Sequence, residues 1–210
     1  MSPAEFILKI ITIYHDARVS RYADQKIRRG RSHSISSIAE DLFASYLILN
    51  DPTIDLVYVD QPITVPGRLK SFAPDIVIVR NNIITAFLDL KMDLGYKRDG
   101  LIALCKKDQE LLLLIRGHEC AIKDGVTKER KIFSISPSAI YDLVIISGRN
   151  ISKQKLMTQL EGASVYAGDV KVHVLTDNEH PNTYGVEPGL LLKRIKIHSS
   201  AFEDLRHRTQ

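Results

Sequence analysis

The chain has 210 residues, of which 44% are hydrophobic and 26% charged, with a formal net charge of +4. This composition excludes a disordered or fibrous protein and allows one domain, residues 1–210, with a substantial core. The longest apolar runs, such as Leu111 to Ile115, are far shorter than the roughly 20 residues that span a bilayer, and no cleavage-like site follows the N-terminal helix. We expect an intracellular, cytoplasmic protein. Cys105 and Cys120 lack metal-site spacing, so we expect buried thiols.

Positive charge is concentrated near the N-terminus. Between Ala17 and His33 there are six basic residues against one acid, Asp24. Such a cluster suits phosphate backbones, although a solvated helix end and loop would explain it equally well. The basic residues are Arg18, Arg21, Lys26, Arg28, Arg29 and Arg31.

Two helices are predicted first. Glu5 to about Ala17 has helical apolar spacing, and with the basic residues it forms a segment, 1–33, that precedes a core of about 34–176. The second helix, "SISSIAEDLFASYLIL", has Ser37 and Glu40 at capping-box spacing and stops before Pro52. Its predicted apolar face consists of Ile38, Leu42, Tyr46 and Leu49.

Three strands follow, at 54–60, 74–80 and 83–91, and the last two form an antiparallel hairpin on Asn81 and Asn82. A helix over 101–117 then ends at Gly117. A second hairpin is predicted on Asp124 and Gly125.

The remaining elements alternate between strand and helix. They are a strand "YDLVIISG", a helix "SKQKLMTQLEG" closed by Gly162, a strand "KVHVLT", a long polar loop 177–189, a last strand "LLLKRIKI", and a short helix with a second capping box at Ser200 and Glu203. This order predicts an α/β fold, a mixed central sheet with helices on both faces.

Charged residues sit on strands otherwise suited to a dry core. Asp89 and Lys91 are two apart, so they leave the same face of their strand. A two-residue turn sets Asp75 against Leu88 and turns it away from Asp89. An odd loop or one bulge sets Asp75 directly across from Asp89, with an Asn in the left-handed conformation.

In the shifted register, two carboxylates face each other and favour a divalent cation between them. Oxygen ligands select Mg²⁺ or Mn²⁺, which can polarise a phosphoryl oxygen and help generate hydroxide. A strand-entry turn at Asp75 and an edge ion pair between Asp89 and Lys91 are the structural alternatives.

"PD" at 74–75, a short hairpin and "DLK" at 89–91, after the helix "SIAEDLFASYL", resemble the PD-(D/E)xK nuclease superfamily, which includes type II restriction endonucleases. The resemblance spans roughly residues 34–176 and implies a restriction-endonuclease-like core of helix, three strands, helix, strand, helix, strand. It implies that Asp75, Asp89 and the Leu90 carbonyl bind metal, that Lys91 acts with the attacking water, and that Glu40 supports a metal. For Glu40, the capping box is an alternative explanation.

The resulting hypothesis is a Mg²⁺-dependent endonuclease, similar to type II restriction enzymes, that cuts double-stranded DNA as a homodimer. The basic segment would contact the DNA backbone, Lys97 and Arg98 would contact the scissile phosphate, and loop 177–189 would read bases. Two alternatives remain. One is an RNA or junction endonuclease on the same fold, with His33 as a metal ligand; the other is a non-catalytic nucleic-acid-binding module in which the unshifted register holds.

Overall fold

The structure is a computed structural model that describes residues 1–19, 26, 32–67, 71–95, 100–166 and 168–210, with the side chain of residue 166 left out. The helices in these residues are α1 Pro3–Asp16, α2 Ser36–Asn50, α3 Leu101–Ile115, α4 Lys153–Tyr166, α5 Pro188–Arg194 and α6 Ser199–Thr209. The strands are β1 Leu56–Val59, β2 Ile63–Thr64, β3 Ile76–Arg80, β4 Ile83–Lys91, β5 Glu119–Lys123, β6 Arg130–Ser147, β7 Val172–Asp177 and β8 Lys196–Ile197.

All of these strands join one mixed sheet. The hydrogen-bonded order is β1-β3-β4-β6-β5-β2, with β7 on the other part of β6 and β8 beside β7. The pairs β4/β6 and β6/β7 are parallel, and the remaining pairs are antiparallel. The predicted mixed sheet is therefore confirmed.

The sheet has helices on both faces, as predicted. One core contains residues of α1, α2, α5 and α6, and the other contains residues of α3 and α4. Alternate residues of β4 supply the two cores, because successive strand side chains point to opposite faces. Leu88 lies in the first core and Phe87 in the second.

The second predicted hairpin is present, but its return strand is longer than expected. β6 runs for 18 residues and includes both "KIFSIS" and "YDLVIIS". Its pairing with β4 jumps from Ile135 to Ile140, which places Pro137 in an irregular stretch. Proline is tolerated there because no regular ladder hydrogen bond is required of it.

The predicted cap of α2 is wrong, and its predicted face is only half confirmed, because Tyr46 is buried and Leu42 packs against the core. Ile38 and Leu49 are 49% and 62% exposed, whereas Phe43 and Leu47 are buried. The buried face is centred between the predicted Tyr46 and the unpredicted Phe43, because both rings pack against Phe6 of α1.

Both predicted capping boxes are absent. The N-cap residues of α2 and α6 are Ile35 and His198, and neither makes a side-chain cap hydrogen bond. Glu40 therefore does not cap α2, and the capping box no longer explains this residue.

Two further boundaries differ from the prediction. Gly162 does not end α4, which continues to Tyr166. A Cβ at Gly162 would lie 2.4 Å from Ile102 Cδ1, so this glycine allows α3 and α4 to pack closely. "LLLKRIKI" is mainly helix α5, which begins at Pro188 after the capping side chain of Glu187.

Cys105 and Cys120 are buried free thiols, as expected. Among the helices of the described residues, none combines the length and apolar character needed to cross a bilayer.

Candidate active site

A bulge shifts the register of the β3/β4 hairpin. The two turn residues Asn81 and Asn82 have φ of 49° and 61°, the left-handed conformation that asparagine tolerates. Val79 pairs with Ile84 next to the turn, but Ile78 pairs with Ala86. Thr85 is therefore the extra residue of the bulge.

The bulge places Asp75 across from Asp89. Ile76 pairs with Leu88, and in the same register the preceding residue, Asp75, lies opposite Asp89. The Asp75 N–H donates to Asp89 Oδ1 over 3.4 Å. A shared site for the two carboxylates requires this register shift, and the structure contains it.

Lys91 connects the two carboxylates. Its Nζ lies 3.0 Å from Asp75 Oδ2 and 3.4 Å from Asp89 Oδ2. The N–H of Leu90 donates to the same Asp75 oxygen over 2.7 Å. All three charged side chains are 16–28% exposed, so they are largely removed from water.

Burial and like charge raise the pKa of Asp75. Burial is the larger cause, and the carboxylate of Asp89 adds to it, while Lys91 opposes both. Burial would lower the pKa of Lys91, but Asp89 and Asp75 outweigh it, and the pKa is raised. The two carboxylates are thus paired with a cation that stays charged, as buried charges require.

Glu40 of α2 lines the same cleft. The cleft has a volume of about 590 Å³ and is also lined by Asp75, Leu90 and Lys91. Burial raises the pKa of Glu40, and the negative charges of Asp75 and Asp60 raise it further. The carboxylate of Glu40 therefore lies within electrostatic range of Asp75 on the hairpin.

Tyr141 was not predicted as a site residue. It lies on β6, and its hydroxyl donates to Asp89 Oδ1 over 3.0 Å. The pKa of Tyr141 is raised by burial and by the charge of Asp89, so the hydroxyl remains a donor at neutral pH. A tyrosine at the head of the otherwise apolar "YDLVIIS" is the only sequence signal for it.

Asp93 lines the cleft and is paired with His180, and neither residue was predicted from the sequence. His180 Nε2 lies 3.1 Å from Asp93 Oδ2, and His180 Nδ1 accepts the N–H of Asn182. The hydrogen bond from His180 lowers the pKa of Asp93, against the effect of burial. Asp93 continues the spacing of Asp89 and Lys91, which is the signal that could have indicated it.

The polar loop after β7 is fixed to α1 by a member of the basic segment. Arg18 Nη2 donates to Asn182 Oδ1 and to the Thr183 carbonyl, each over 3.1 Å. Its guanidinium lies 4.0 Å from the centre of the Tyr184 ring. Arg18 therefore has a structural role here, and its predicted phosphate contact stays a prediction.

Most of the other predicted nucleic-acid contacts cannot be placed. Lys26 is exposed. Arg21, Arg28, Arg29, Arg31, Lys97 and Arg98 lie outside the described residues.

Asp75 and Asp89 offer carboxylate oxygens, the donor type that a hard divalent cation prefers. Within the described residues, no three His, Cys, Asp or Glu side chains form a ready metal cluster. The set implied by the resemblance needs two carboxylates and the Leu90 carbonyl. Here Asp75 and Asp89 already converge on one cation, the Lys91 ammonium. Two carboxylate oxygens on a shared cation are the ligand type that Mg²⁺ and Mn²⁺ prefer.

Searches against protein-family models, curated proteins and solved structures gave no match for this chain. The class of the site therefore has to be inferred from its own geometry.

Proposed function

We propose that this chain is a Mg²⁺-dependent endonuclease with a restriction-endonuclease-like core that hydrolyses phosphodiester bonds in double-stranded DNA. The observation that carries the proposal is the contact of Lys91 Nζ with both Asp75 and Asp89 at the end of one hairpin. The resemblance of "PD" and "DLK" to the PD-(D/E)xK superfamily agrees with this geometry.

Each residue has a defined role in the proposed reaction. Asp75, Asp89 and the Leu90 carbonyl hold the metal, which when bound polarises the phosphate and makes water more acidic. Lys91 orients the attacking water and stabilises the negative charge that develops on the phosphate. Tyr141 fixes the direction of the Asp89 carboxylate, and Glu40 supports a metal or its water.

Plasmid cleavage tests the proposal. The wild-type protein should convert supercoiled DNA in Mg²⁺ but not in EDTA, and Asp75→Ala and Lys91→Ala should reduce cleavage to background. Lys107→Ala is the control, because this lysine is exposed on α3. Cleavage at the parent rate by either site variant would show that the residues are wrongly assigned.

RNA cleavage is the second candidate function. His33 lines the same cleft as Glu40 and Asp75, as the metal-binding histidine of the RNA-endonuclease alternative would. Parallel assays on single-stranded RNA, four-way junctions and linear duplex DNA separate the substrates. His33→Ala should impair cleavage in the RNA case and have little effect in the DNA case.

A binding module without catalysis remains the alternative from another class. It was expected to have the unshifted register, and the observed pairing of Ile76 with Leu88 does not favour it. A thermal melt distinguishes the two, because a cation that binds only the folded state raises the melting temperature. An unchanged melting temperature in millimolar Mn²⁺ would support the binding module.

Double-strand cleavage requires two active sites, so the proposal includes a homodimer. Analytical ultracentrifugation with and without duplex DNA measures the oligomeric state.

A further inference from the structure

The bulge that aligns the two carboxylates is held by a second group of polar residues on the side of the hairpin nearer the turn. Thr85 is the bulged residue, and its Oγ1 accepts a hydrogen bond from Arg80 Nη1 over 2.7 Å. Arg80 is 8% exposed. The buried guanidinium of Arg80 thus contacts Thr85, the extra residue that shifts the register of β3 and β4.

Arg80 is itself fixed by the segment that follows α2. Its Nε donates to Thr53 Oγ1 over 3.0 Å, and its Nη2 pairs with Asp51 Oδ2. Asp51 is 3% exposed and also accepts hydrogen bonds from the N–H and hydroxyl of Thr53. The rigid fork of arginine therefore connects the end of α2 to the bulge through three separate donors.

The bulge changes the face to which the following residues point. Ile84, before the bulge, lies in the core with Val79, whereas Ala86, after it, lies in the opposite core with Leu88. Even-numbered residues of β4 therefore point to one face before the bulge and to the opposite face after it, as expected when one residue is added to a strand. Asp89 and Lys91 reach the face of Asp75 only because this switch occurs before them.

The same position interrupts the pairing on the other side of β4. Ile84 pairs with Ile135 of β6, and Ala86 pairs with Ile140. Thr85 therefore has no paired residue on β3 or on β6. The hydrogen bond from Arg80 is a side-chain contact that fixes it.

We propose that Arg80 is a positioning residue that acts through Thr85 to hold the bulge and thereby the geometry of Asp75, Asp89 and Lys91. The catalytic consequence of this role rests on the proposed nuclease function. The effect of Arg80 on the geometry of the site does not rest on that function, because the hydrogen bond from Leu90 N–H to Asp75 Oδ2 depends on the same geometry.

Three variants test this role. Thr85→Val removes the hydroxyl and keeps the branched shape, Thr85→Ser restores the hydroxyl, and Arg80→Lys keeps the charge opposite Asp51 but loses the fork. Thr209→Val is the control for lost stability, because Thr209 is a buried threonine at the end of α6 whose hydroxyl bonds the Leu205 carbonyl.

We expect Thr85→Val to lower kcat about tenfold with KM unchanged, since small misplacements of reacting groups are costly. Thr85→Ser should recover most of the rate, and Thr209→Val should leave kcat unchanged. The double variant Arg80→Lys with Thr85→Val should be no slower than Arg80→Lys alone, because the two residues act through one contact. Independent effects that multiply, or a normal kcat in Thr85→Val, would overturn the proposal.

The amide proton of Leu90, followed by NMR in the absence of metal, gives a readout without activity. Its resonance should move in Thr85→Val and Arg80→Lys and stay in place in Thr209→Val. An unmoved resonance in both site variants contradicts the proposal even if the wild type cleaves DNA. A shifted resonance in a protein that cleaves nothing would instead retain the positioning role and reject the nuclease function.

Discussion

The hydroxyl of Tyr141 donates a 3.0 Å hydrogen bond to Asp89 Oδ1, across the parallel pair of β6 and β4. The same oxygen faces the Asp75 N–H, while Asp89 Oδ2 faces Lys91. The two oxygens of Asp89 therefore have different partners, and Oδ2 is directed toward the cation. This relationship makes Tyr141 part of the site although it carries no charge.

Tyr141→Phe should lower cleavage and Mn²⁺ affinity roughly 10–100-fold, the usual effect of removing a partner that orients a metal ligand. Steady-state kinetics and isothermal titration with Mn²⁺ measure the two quantities. Tyr46→Phe is the matched control, since Tyr46 is a buried tyrosine packed between Phe43 and Phe202. Equal behaviour of the two variants would show that the Tyr141 hydroxyl has no special role.

Asp75→Asn should abolish cleavage yet raise the melting temperature in EDTA. The pKa of Asp75 is raised above its ordinary value of 3.8, so its ionised form costs folding free energy once pH exceeds that value. Differential scanning calorimetry of both proteins at pH 7 in EDTA measures the difference in melting temperature.

The sign of this effect depends on pH, which supplies an internal control. Below the ordinary pKa, Asp75 is protonated in both the folded and unfolded states and the cost is absent. Calorimetry from pH 7 toward pH 4 should therefore show the two melting temperatures converging. A constant difference across that range would exclude the charge of Asp75 as its cause.

Glu40→Gln should reduce kcat/KM and flatten the acid limb of its pH profile. The wild-type rate should fall as pH drops through the pKa of Glu40, which lies above its ordinary 4.5 because of burial and the nearby Asp75. Glu110→Gln, at an exposed acid on α3, is the control. If both variants keep the wild-type profile, Glu40 has no part in the reaction.

Asp142→Asn should destabilise the protein without touching the site. Asp142 is 0% exposed and accepts hydrogen bonds from Arg208 Nε and Nη2, and it lies 2.9 Å from His173 Nε2. Breaking such a buried network costs about 3–5 kcal/mol, measured by urea denaturation. Asp204→Asn, at the exposed end of the same network, should cost less than about 1 kcal/mol.

The Asp142 network also predicts acid sensitivity. Burial acts to raise the pKa of Asp142, but Arg208 and His173 outweigh it and lower the pKa. This stabilisation is present above the ordinary value of 3.8 and is lost as pH falls toward the lowered folded-state pKa. Urea midpoints measured between pH 5 and pH 3 should fall in the wild type and change less in Asp142→Asn.

The basic segment can be tested by the salt dependence of binding. Replacing Arg28, Arg29 and Arg31 with Ala should weaken DNA binding and reduce the salt slope by about 0.9 for each phosphate contact removed. The control is Lys128→Ala with Arg130→Ala, at the β5/β6 hairpin. Fluorescence anisotropy at several salt concentrations gives both slopes, and equal slopes in the two variants would argue against a specific contact by the segment.

Hydrophobic periodicity and turn chemistry determined much of this protein from sequence. They predicted the hairpin on Asn81 and Asn82, the mixed sheet with helices on both faces, and the shared face of Asp89 and Lys91. These features are local, because strand alternation and the left-handed preference of asparagine act over a few residues. The same local rules placed Tyr46 of α2 correctly but not Ile38 and Leu49, because the buried face of this helix also includes Phe43, which packs on Phe6 of another helix.

Only the tertiary structure decided whether Asp75 meets Asp89. The residues 74–91 permit two registers, and the choice depends on a bulge at Thr85 that contacts Arg80, which is held in turn by Asp51. Likewise, Tyr141 on β6 bonds Asp89, and His180 in the loop after β7 bonds Asp93. Such contacts join residues far apart in the chain, so no local pattern encodes them, and packing of the whole sheet brings them together.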